Sequence, residues 1–454
     1  MESTGEQPNS VCHVVALPFP GQGHINPLMN LCNLLASVKS DILITFVITE
    51  EWLSFIGSEA KMDNIRFATI PNVIPSEKGR ADNMDAFFEA IMTKMECPFK
   101  QLLDELESPP TVIVVDTFLS WAVSVGNRRN IRTALFWPMS ATQFTTIQYF
   151  HLFVENGHFP VDLSEKGNER VDYIPGVSST RFVDFMMNGS NNPPLLGHIL
   201  KSFSWVPKAH YFIVTSIYEL ETRVIDVLRS ELSLPIYTIG PLIPSFKPIS
   251  PTGTNHLQWL DSQPCSSVLY ISTGSFLSFS RAQMDEIVAG LNKSGVRFFW
   301  VARGETNRLQ QVCGDMGFVV PWCDQLRVLG HSSVGGFWTH CGWNSVREAI
   351  FAGVPLLTFP IGFDQGLNSK LVVEDWKIGW RVKSTEAKID HLVTSDEIAS
   401  LVKKIMNLGD DEGKEMRRRI TELQQILQGA IKEGGSSQTN INAFIRGILQ
   451  DQED

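Results

Sequence analysis

One pattern constrains this chain more than any other. Short runs rich in Val, Ile and Phe alternate with longer, helix-compatible stretches. In the first half the runs are VCHVVALPF, ILITFVIT, IRFATI, TVIVVDTF, RTALFW and HYFIVTSI. In the second half they are SSVLYISTGSF, VRFFWVAR, GFVVPW, VGGFWTH, VPLLTFP and IGWRV. A strand that is apolar on both faces belongs in a parallel sheet covered on both sides. The helical stretches between runs supply the crossovers of βαβ units. Two such sets predict an α/β chain with two Rossmann-like, doubly wound domains facing across a cleft.

The break between the sets falls in IGPLIPSFKPISPTGTN, which is dense in Pro and Ser and reads as a linker. The expected organisation is a first domain over 1–240, a linker over 241–255 and a second domain over 256–435. A last helix over 436–454 would pack back on the body. A chain of 454 residues that is 43% hydrophobic has material for two cores.

The formal net charge is −11, and no basic tract interleaves with aromatics, so nucleic acid is an unexpected partner. An anion would have to be held locally, by backbone N–H groups at helix N-termini. The seven cysteines are scattered, odd in number and form no CxxC pair. That pattern suggests reduced thiols in a cytosol-like compartment rather than a disulfide framework or a thiolate metal site. MESTGEQPNS lacks the basic start and apolar core of a signal peptide. No apolar run reaches the roughly 20 residues that span a bilayer. A cytoplasmic protein with no transmembrane segment, acting as a monomer, is expected.

In open α/β sheets ligands sit at the carboxyl ends of the strands, so chemistry is sought there. PFPGQGHINP follows the first strand and presents His24 ahead of a helix that Asn26 would cap and Pro27 would begin. A neutral imidazole there can act as a general base; it can equally be a loop histidine satisfied locally. Asp116 ends the strand TVIVVDTF. It would orient His24 if the two strands were neighbours; otherwise it would cap the next helix.

The stretch from Trp322 to Gln365, WCDQLRVLGHSSVGGFWTHCGWNSVREAIFAGVPLLTFPIGFDQ, is the strongest constellation. A strand, a glycine-containing turn and a helix N-terminus follow one another there, an arrangement that binds anions. His340, Asn344 and Ser345 lie in the turn, Glu348 on the helix could accept from ribose hydroxyls, and Trp322 could stack on a base. Read singly, Trp322 is also ordinary core and Glu348 a solvated helix face.

This stretch closely resembles the signature box of plant secondary-product glycosyltransferases, the UDP-sugar-dependent enzymes of glycosyltransferase family 1. PFPGQGHINP is similar to the family's N-terminal motif and ISTGSF to its second phosphate loop. The resemblance implies a GT-B fold, with acceptor bound mainly by the first domain and donor by the second. It implies that Trp322 stacks on uracil, with the Cys323 backbone and Gln325 near base and ribose, and that Glu348 holds the ribose hydroxyls. His340, Asn344, Ser345 and Ser275 would contact the diphosphate; Trp343, Asp364 and Gln365 would contact the sugar. A terminal Gln points to UDP-glucose as co-substrate. His24 would be the base of an inverting O-glucosyl transfer and Asp116 its orienter. With no DxD motif in the chain, no metal and no further cofactor are expected.

Some positions depart from the family pattern. Asp324 stands at a usual Pro, Gly362 at a common aromatic and Thr273 at a usual bulky residue. Arg347 replaces a usual aliphatic residue and is expected to face solvent, because adjacent helix residues point apart.

The acceptor is read less sharply. Phe87, Phe88, Phe118, Leu119, Trp137, Phe144, Phe185 and Met186 are among the candidates for its pocket, and Ser140 and Thr142 are further candidates to reach the sugar. Such a lining suits a small apolar hydroxylated molecule: a flavonoid, another phenolic or a terpenol. Two other functions remain to be separated from this one. A catalytically silent nucleotide-sugar-binding protein would keep the box without the base. A dinucleotide oxidoreductase would need GxGxxG, and here Asn26 fills the third glycine position.

Overall fold

The computed structural model describes residues 12–39, 41–57, 62–77, 84–161, 163–185, 193–243, 254–274, 279–382 and 392–450. Ser275 and Met186, together with most of the expected linker, lie outside the described residues.

Fifteen strands form among the described residues. They are β1 (Cys12–Leu17), β2 (Ile42–Thr49), β3 (Ile65–Ile70), β4 (Val112–Asp116), β5 (Arg132–Trp137), β6 (Arg170–Val171), β7 (Thr180–Arg181), β8 (Tyr211–Val214) and β9 (Ile236–Thr238). They continue with β10 (Val268–Ser272), β11 (Arg297–Val301), β12 (Gly317–Val320), β13 (Val334–Thr339), β14 (Leu356–Thr358) and β15 (Gly379–Arg381). Seven of them form a parallel sheet in the order β3-β2-β1-β4-β5-β8-β9. Six form a second parallel sheet, β12-β11-β10-β13-β14-β15. The remaining two make a small antiparallel hairpin.

All twelve apolar runs are strands. The edge strand β9, IYT, is not among them: it runs straight into the Pro-rich stretch read as the linker.

Alternate residues of each strand enter opposite cores, as a sheet covered on both faces requires. In the first sheet Val15, Ile113 and Leu135 face one core, and Val14, Val114 and Phe136 the other. In the second, Tyr270 and Phe337 face one core, and Ile271 and Trp338 the other.

The last helix, Ser436–Gln450, buries Ile441, Phe444, Ile445 and Ile448 in a core of the first sheet. Its Asn440 also donates to the Thr238 carbonyl at 3.0 Å. The chain thus returns to its first half after completing the second.

Strand order reverses direction at β1/β4 in the first sheet and at β10/β13 in the second. Such switch points open a crevice at the carboxyl ends of the strands. His24 and Asp116 follow β1 and end β4; His340 follows β13, beside Gly274 after β10.

Candidate active site

The helix after β1 runs Gln22–Val38, capped by Gly21. It therefore starts earlier than Asn26 and Pro27 suggest, and His24 sits in its first turn rather than in a loop. Ile25, Leu28, Leu31, Cys32 and Leu35 bury one stripe against the sheet, which fixes the angle at which the imidazole leaves the helix.

Because β1 and β4 are neighbours, Asp116 meets it. His24 Nδ1 lies 2.7 Å from Asp116 Oδ2. Asp116 is fully buried, and its Oδ1 accepts from the Phe118 N–H at 3.1 Å. A carboxylate only accepts, so Nδ1 carries the proton and Nε2 holds the free lone pair. The carboxylate thus bonds a backbone N–H and the imidazole together.

Two aromatic rings flank the imidazole and a third packs on one of them. The Phe19 and Phe118 rings lie 5.0 and 6.1 Å from the imidazole, and Phe88, half-buried, lies 5.2 Å from Phe19. Phe19 was missed by the sequence reading, although the prolines on either side mark it as the last side chain leaving the strand. The other described acceptor candidates lie in the core, away from the imidazole. Leu119, Trp137 and Phe144 are fully buried, and Phe144 packs on Phe203 and Phe212. Phe185 joins a separate cluster with Phe153. Ser140 caps a helix through Gln143 N–H, and the Thr142 hydroxyl donates to Glu221. These side chains follow the ordinary preference of large apolar groups for the core.

In the second half, the box helix Trp343–Ala352 starts at Gly342 and ends at Gly353, which adopts φ +72°. Its first-turn N–H groups lack intrahelical partners and point out of the strand ends. His340 is wedged between two glycines. A Cβ on Gly274 or on Gly342 would each come 2.6 Å from its Nε2, and Gly274 has φ +82°. Burial lowers the His340 pKa to about 4, so the ring is neutral.

Glu348 is half-buried and accepts from Gln325 Nε2 at 2.8 Å. Gln325 also bonds Ser345 Oγ at 3.0 Å and accepts from the Tyr270 hydroxyl at 3.1 Å. Burial pushes the Glu348 carboxyl up to about 7. Cys323 is buried with its thiol on the Tyr270 hydroxyl at 3.4 Å. Trp322 remains 43% exposed, unusual for an indole and open to a flat partner. Asp324 has a local reason to replace Pro: its Oδ1 caps the short helix Gln325–Leu329 at Arg327 N–H.

After β14, Gln365 Oε1 accepts from the Ile361 and Gly362 N–H groups at 2.7 and 3.0 Å. That leaves the amide NH₂ as the donor end. Asp364 is buried and accepts from Asn368 Nδ2 at 2.7 Å, and Asn368 also reaches the Cys341 carbonyl at 2.9 Å. Burial raises the Asp364 carboxyl to about 6, opposed chiefly by the hydrogen bond from Asn368. Asn344 of the box helix donates to the Gly23 carbonyl at 3.0 Å, which brings the box next to His24.

One expectation needs correction: Arg347 does not face solvent but is 4% exposed and bonded across to the first half of the chain. The Trp343 indole is buried beside Trp376. The Asn344 amide donates to the Gly23 carbonyl and accepts from Arg347.

Comparison with known proteins agrees with this geometry. Residues 233–424 match the family described as UDP-glucoronosyl and UDP-glucosyl transferase, and residues 10–244 match the glycosyltransferase N-terminal domain. UDP-glycosyltransferase 87A1 of Arabidopsis thaliana is 50% identical over 440 residues, covering 96% of this chain and 100% of the relative. The crystal structure of Medicago truncatula UGT71G1 complexed with UDP-glucose superposes with a TM-score of 0.83 at 26% identity, covering 97% of this chain and 99% of that one. Phytolacca americana UGT2, complexed with UDP-2fluoro-glucose and pterostilbene, gives 0.83 at 25% identity, covering 96% and 99%. The two facing parallel sheets are a GT-B fold, and the chain belongs to family 1 of the plant UDP-glycosyltransferases, enzymes that transfer a sugar from a UDP-sugar donor.

Proposed function

We propose that this enzyme is an inverting, UDP-glucose-dependent O-glucosyltransferase acting on small apolar hydroxylated molecules such as flavonoids, other phenolics or terpenols. The observation that carries this reading is the 2.7 Å bond between His24 Nδ1 and the buried Asp116. It leaves Nε2 as a base within reach of the box. His24 Nε2 takes the proton of the acceptor hydroxyl. The oxygen attacks the anomeric carbon as the bond from that carbon to the diphosphate oxygen breaks, and the electron pair leaves with UDP. A single displacement from an α-linked donor gives a β-glucoside. A positioned base supplies roughly 10²- to 10⁴-fold; alignment of the two substrates and stabilisation of the leaving diphosphate supply the rest.

Trp322 is the stacking surface for uracil, and Glu348, held by Gln325, accepts from the ribose hydroxyls. The helix N-terminus at Trp343, with Ser345 and neutral His340, faces the diphosphate, so the reaction needs no metal. Asp364 and the Gln365 NH₂ meet the glucose hydroxyls. The Medicago truncatula complex with UDP-glucose supports the donor, and the pterostilbene complex supports a flat phenolic acceptor. Phe19, Phe88 and Phe118 would hold that acceptor beside the base.

No described helix is long and apolar enough to cross a membrane, and all seven cysteines are free. We place the enzyme in the cytosol as a monomer.

The test is mass spectrometry of purified protein with UDP-glucose, EDTA and a panel of flavonoids, simple phenols and terpenols. A product one hexose heavier supports the reading. UDP-glucose binding by calorimetry with no product from any acceptor would favour a silent binder.

A further inference from the structure

The signature helix carries a buried cation that the family pattern does not call for. Arg347 is 4% exposed. A guanidinium removed from water is costly unless its N–H groups are bonded, so the oxygens around it matter. Nη1 donates to the Thr215 carbonyl at 3.3 Å and to the Pro241 carbonyl, and Nη2 donates to Asn344 Oδ1. Thr215 follows β8 and Pro241 follows β9, so both carbonyls belong to the strand ends of the first sheet.

Asn344 passes the connection on. With Oδ1 held by Arg347, its Nδ2 donates to the Gly23 carbonyl at 3.0 Å. That carbonyl is available for a chemical reason. In a regular helix the N–H of residue 27 would take it, but residue 27 is proline. Gly23 immediately precedes His24. A second tie reaches the same helix about two turns on: Asn30 Nδ2 donates to the Leu242 carbonyl at 3.0 Å, next to the Pro241 that Arg347 holds. The helix bearing the base is thus fastened at Gly23 and at Asn30 to a knot centred on one guanidinium of the donor-binding half.

We propose that Arg347 is a positioning residue for the transfer: through Asn344 and the Pro241–Leu242 turn it sets where His24 stands relative to the donor-binding helix. It touches neither substrate. This inference rests on the role proposed for His24, but it makes a structural claim that can be read without turnover.

The test uses the full chain with Arg347→Leu, which restores an aliphatic side chain, and Arg347→Lys. Hydrogen–deuterium exchange is measured first. Peptides over residues 22–30 are expected to exchange faster in Arg347→Leu, with those over β10 and β13 unchanged. Kinetics follow with an acceptor that the wild type glucosylates. A shift of about 1 Å at a reacting group costs on the order of 10²-fold, so kcat should fall by about that factor while the UDP-glucose Kd by calorimetry stays within about threefold. Arg347→Lys, which retains donors, should recover part of kcat. If Arg347→Leu does not fold, Asn30→Ala decides by the same two readouts, since it cuts the second tie at a less buried site. Unchanged exchange over 22–30, wild-type kcat in a folded variant, or a parallel loss of kcat and donor affinity would each overturn the proposal. Failure of the wild type to glucosylate any acceptor would instead count against the proposed function, and exchange alone would then decide whether the tie exists.

Discussion

Replacing Asp116 by Asn tests the proposed catalytic pair most directly. The two side chains have the same shape, so the fully buried site gains no cavity. The chemistry changes through one neighbour. The Phe118 N–H points at Oδ1 from 3.1 Å, so the Asn carbonyl oxygen must take that place and its NH₂ must face His24. An NH₂ group donates, so His24 Nδ1 would have to accept, and the ring proton would move to Nε2. The lone pair needed to receive the acceptor's proton is then gone. The imidazolium formed during transfer also loses its counter-charge. With charge centres about 4 Å apart and an effective dielectric of about 20, that attraction is about 4 kcal/mol, or about 10³ in rate. The tautomer error adds to it, and the expected fall in kcat is roughly 10³- to 10⁴-fold. Steady-state kinetics with saturating UDP-glucose would measure it, with calorimetry confirming an unchanged donor Kd and thermal melting an intact fold. A kcat within about tenfold of wild type would refute the role given to Asp116. Loss of donor affinity would show instead that the carboxylate acts on the shape of the crevice.

His24→Ala should abolish detectable glucoside by mass spectrometry while UDP-glucose still binds; turnover near wild type would remove His24 from the mechanism. Trp322→Ala should weaken UDP by about 1–3 kcal/mol, the worth of an aromatic stacked on a base. Its effect on melting should be within about 0.5 kcal/mol, since the indole is 43% exposed. The Glu348 carboxyl at about 7 and the Asp364 carboxyl at about 6 are both raised by burial. The folded protein therefore holds their protons more tightly than the unfolded chain. Their stabilisation is complete below the ordinary carboxylate range near pH 4 and is lost as pH rises through about 6 and 7. Ligand-free protein should melt lower at pH 8 than at pH 5, with a flatter slope in Glu348→Gln. UDP-glucose has no phosphate titrating in that window. Its affinity should weaken from pH 8 to pH 6 as Glu348 becomes a poorer acceptor, and calorimetry on Glu348→Gln should show that dependence reduced. Gln365→His should change the ratio of glucose to galactose transferred in competition assays; an unchanged ratio would take Gln365 out of donor choice.

Much of the fold was legible because burial on both faces leaves a local trace. A strand such as TVIVVDTF must be apolar at every position, whatever its neighbours. β9 went unread because its IYT adjoins the prolines of the linker. The donor box was legible for a related reason: strand, turn, helix N-terminus and Gly353 cap lie within one continuous stretch, so local rules build most of the site. Asp324, a departure from the family, found its explanation only in the structure, as a helix cap.

What the sequence could not decide depended on which segments meet. Whether His24 has a partner rests on β1 lying beside β4, a pairing between residues almost a hundred apart. Nothing in the sequence separates Phe118 from the candidates Trp137 and Phe144; only packing shows that Phe118 reaches the His24 ring while Trp137 and Phe144 pack on Phe203. Arg347 was misread because adjacency on a helix says where a side chain points, not what lies there. The first sheet's strand ends lie there, and their carbonyls bond a cation that local reasoning would leave in water. Composition and periodicity determined the two sheets, and the resemblance supplied the roles in the box; the pairing of β1 with β4 brought His24 to Asp116, and the meeting of the two halves buried Arg347. Local patterns report secondary structure and burial, while the proposed chemistry depends on atoms that only the closed chain brings within hydrogen-bond distance.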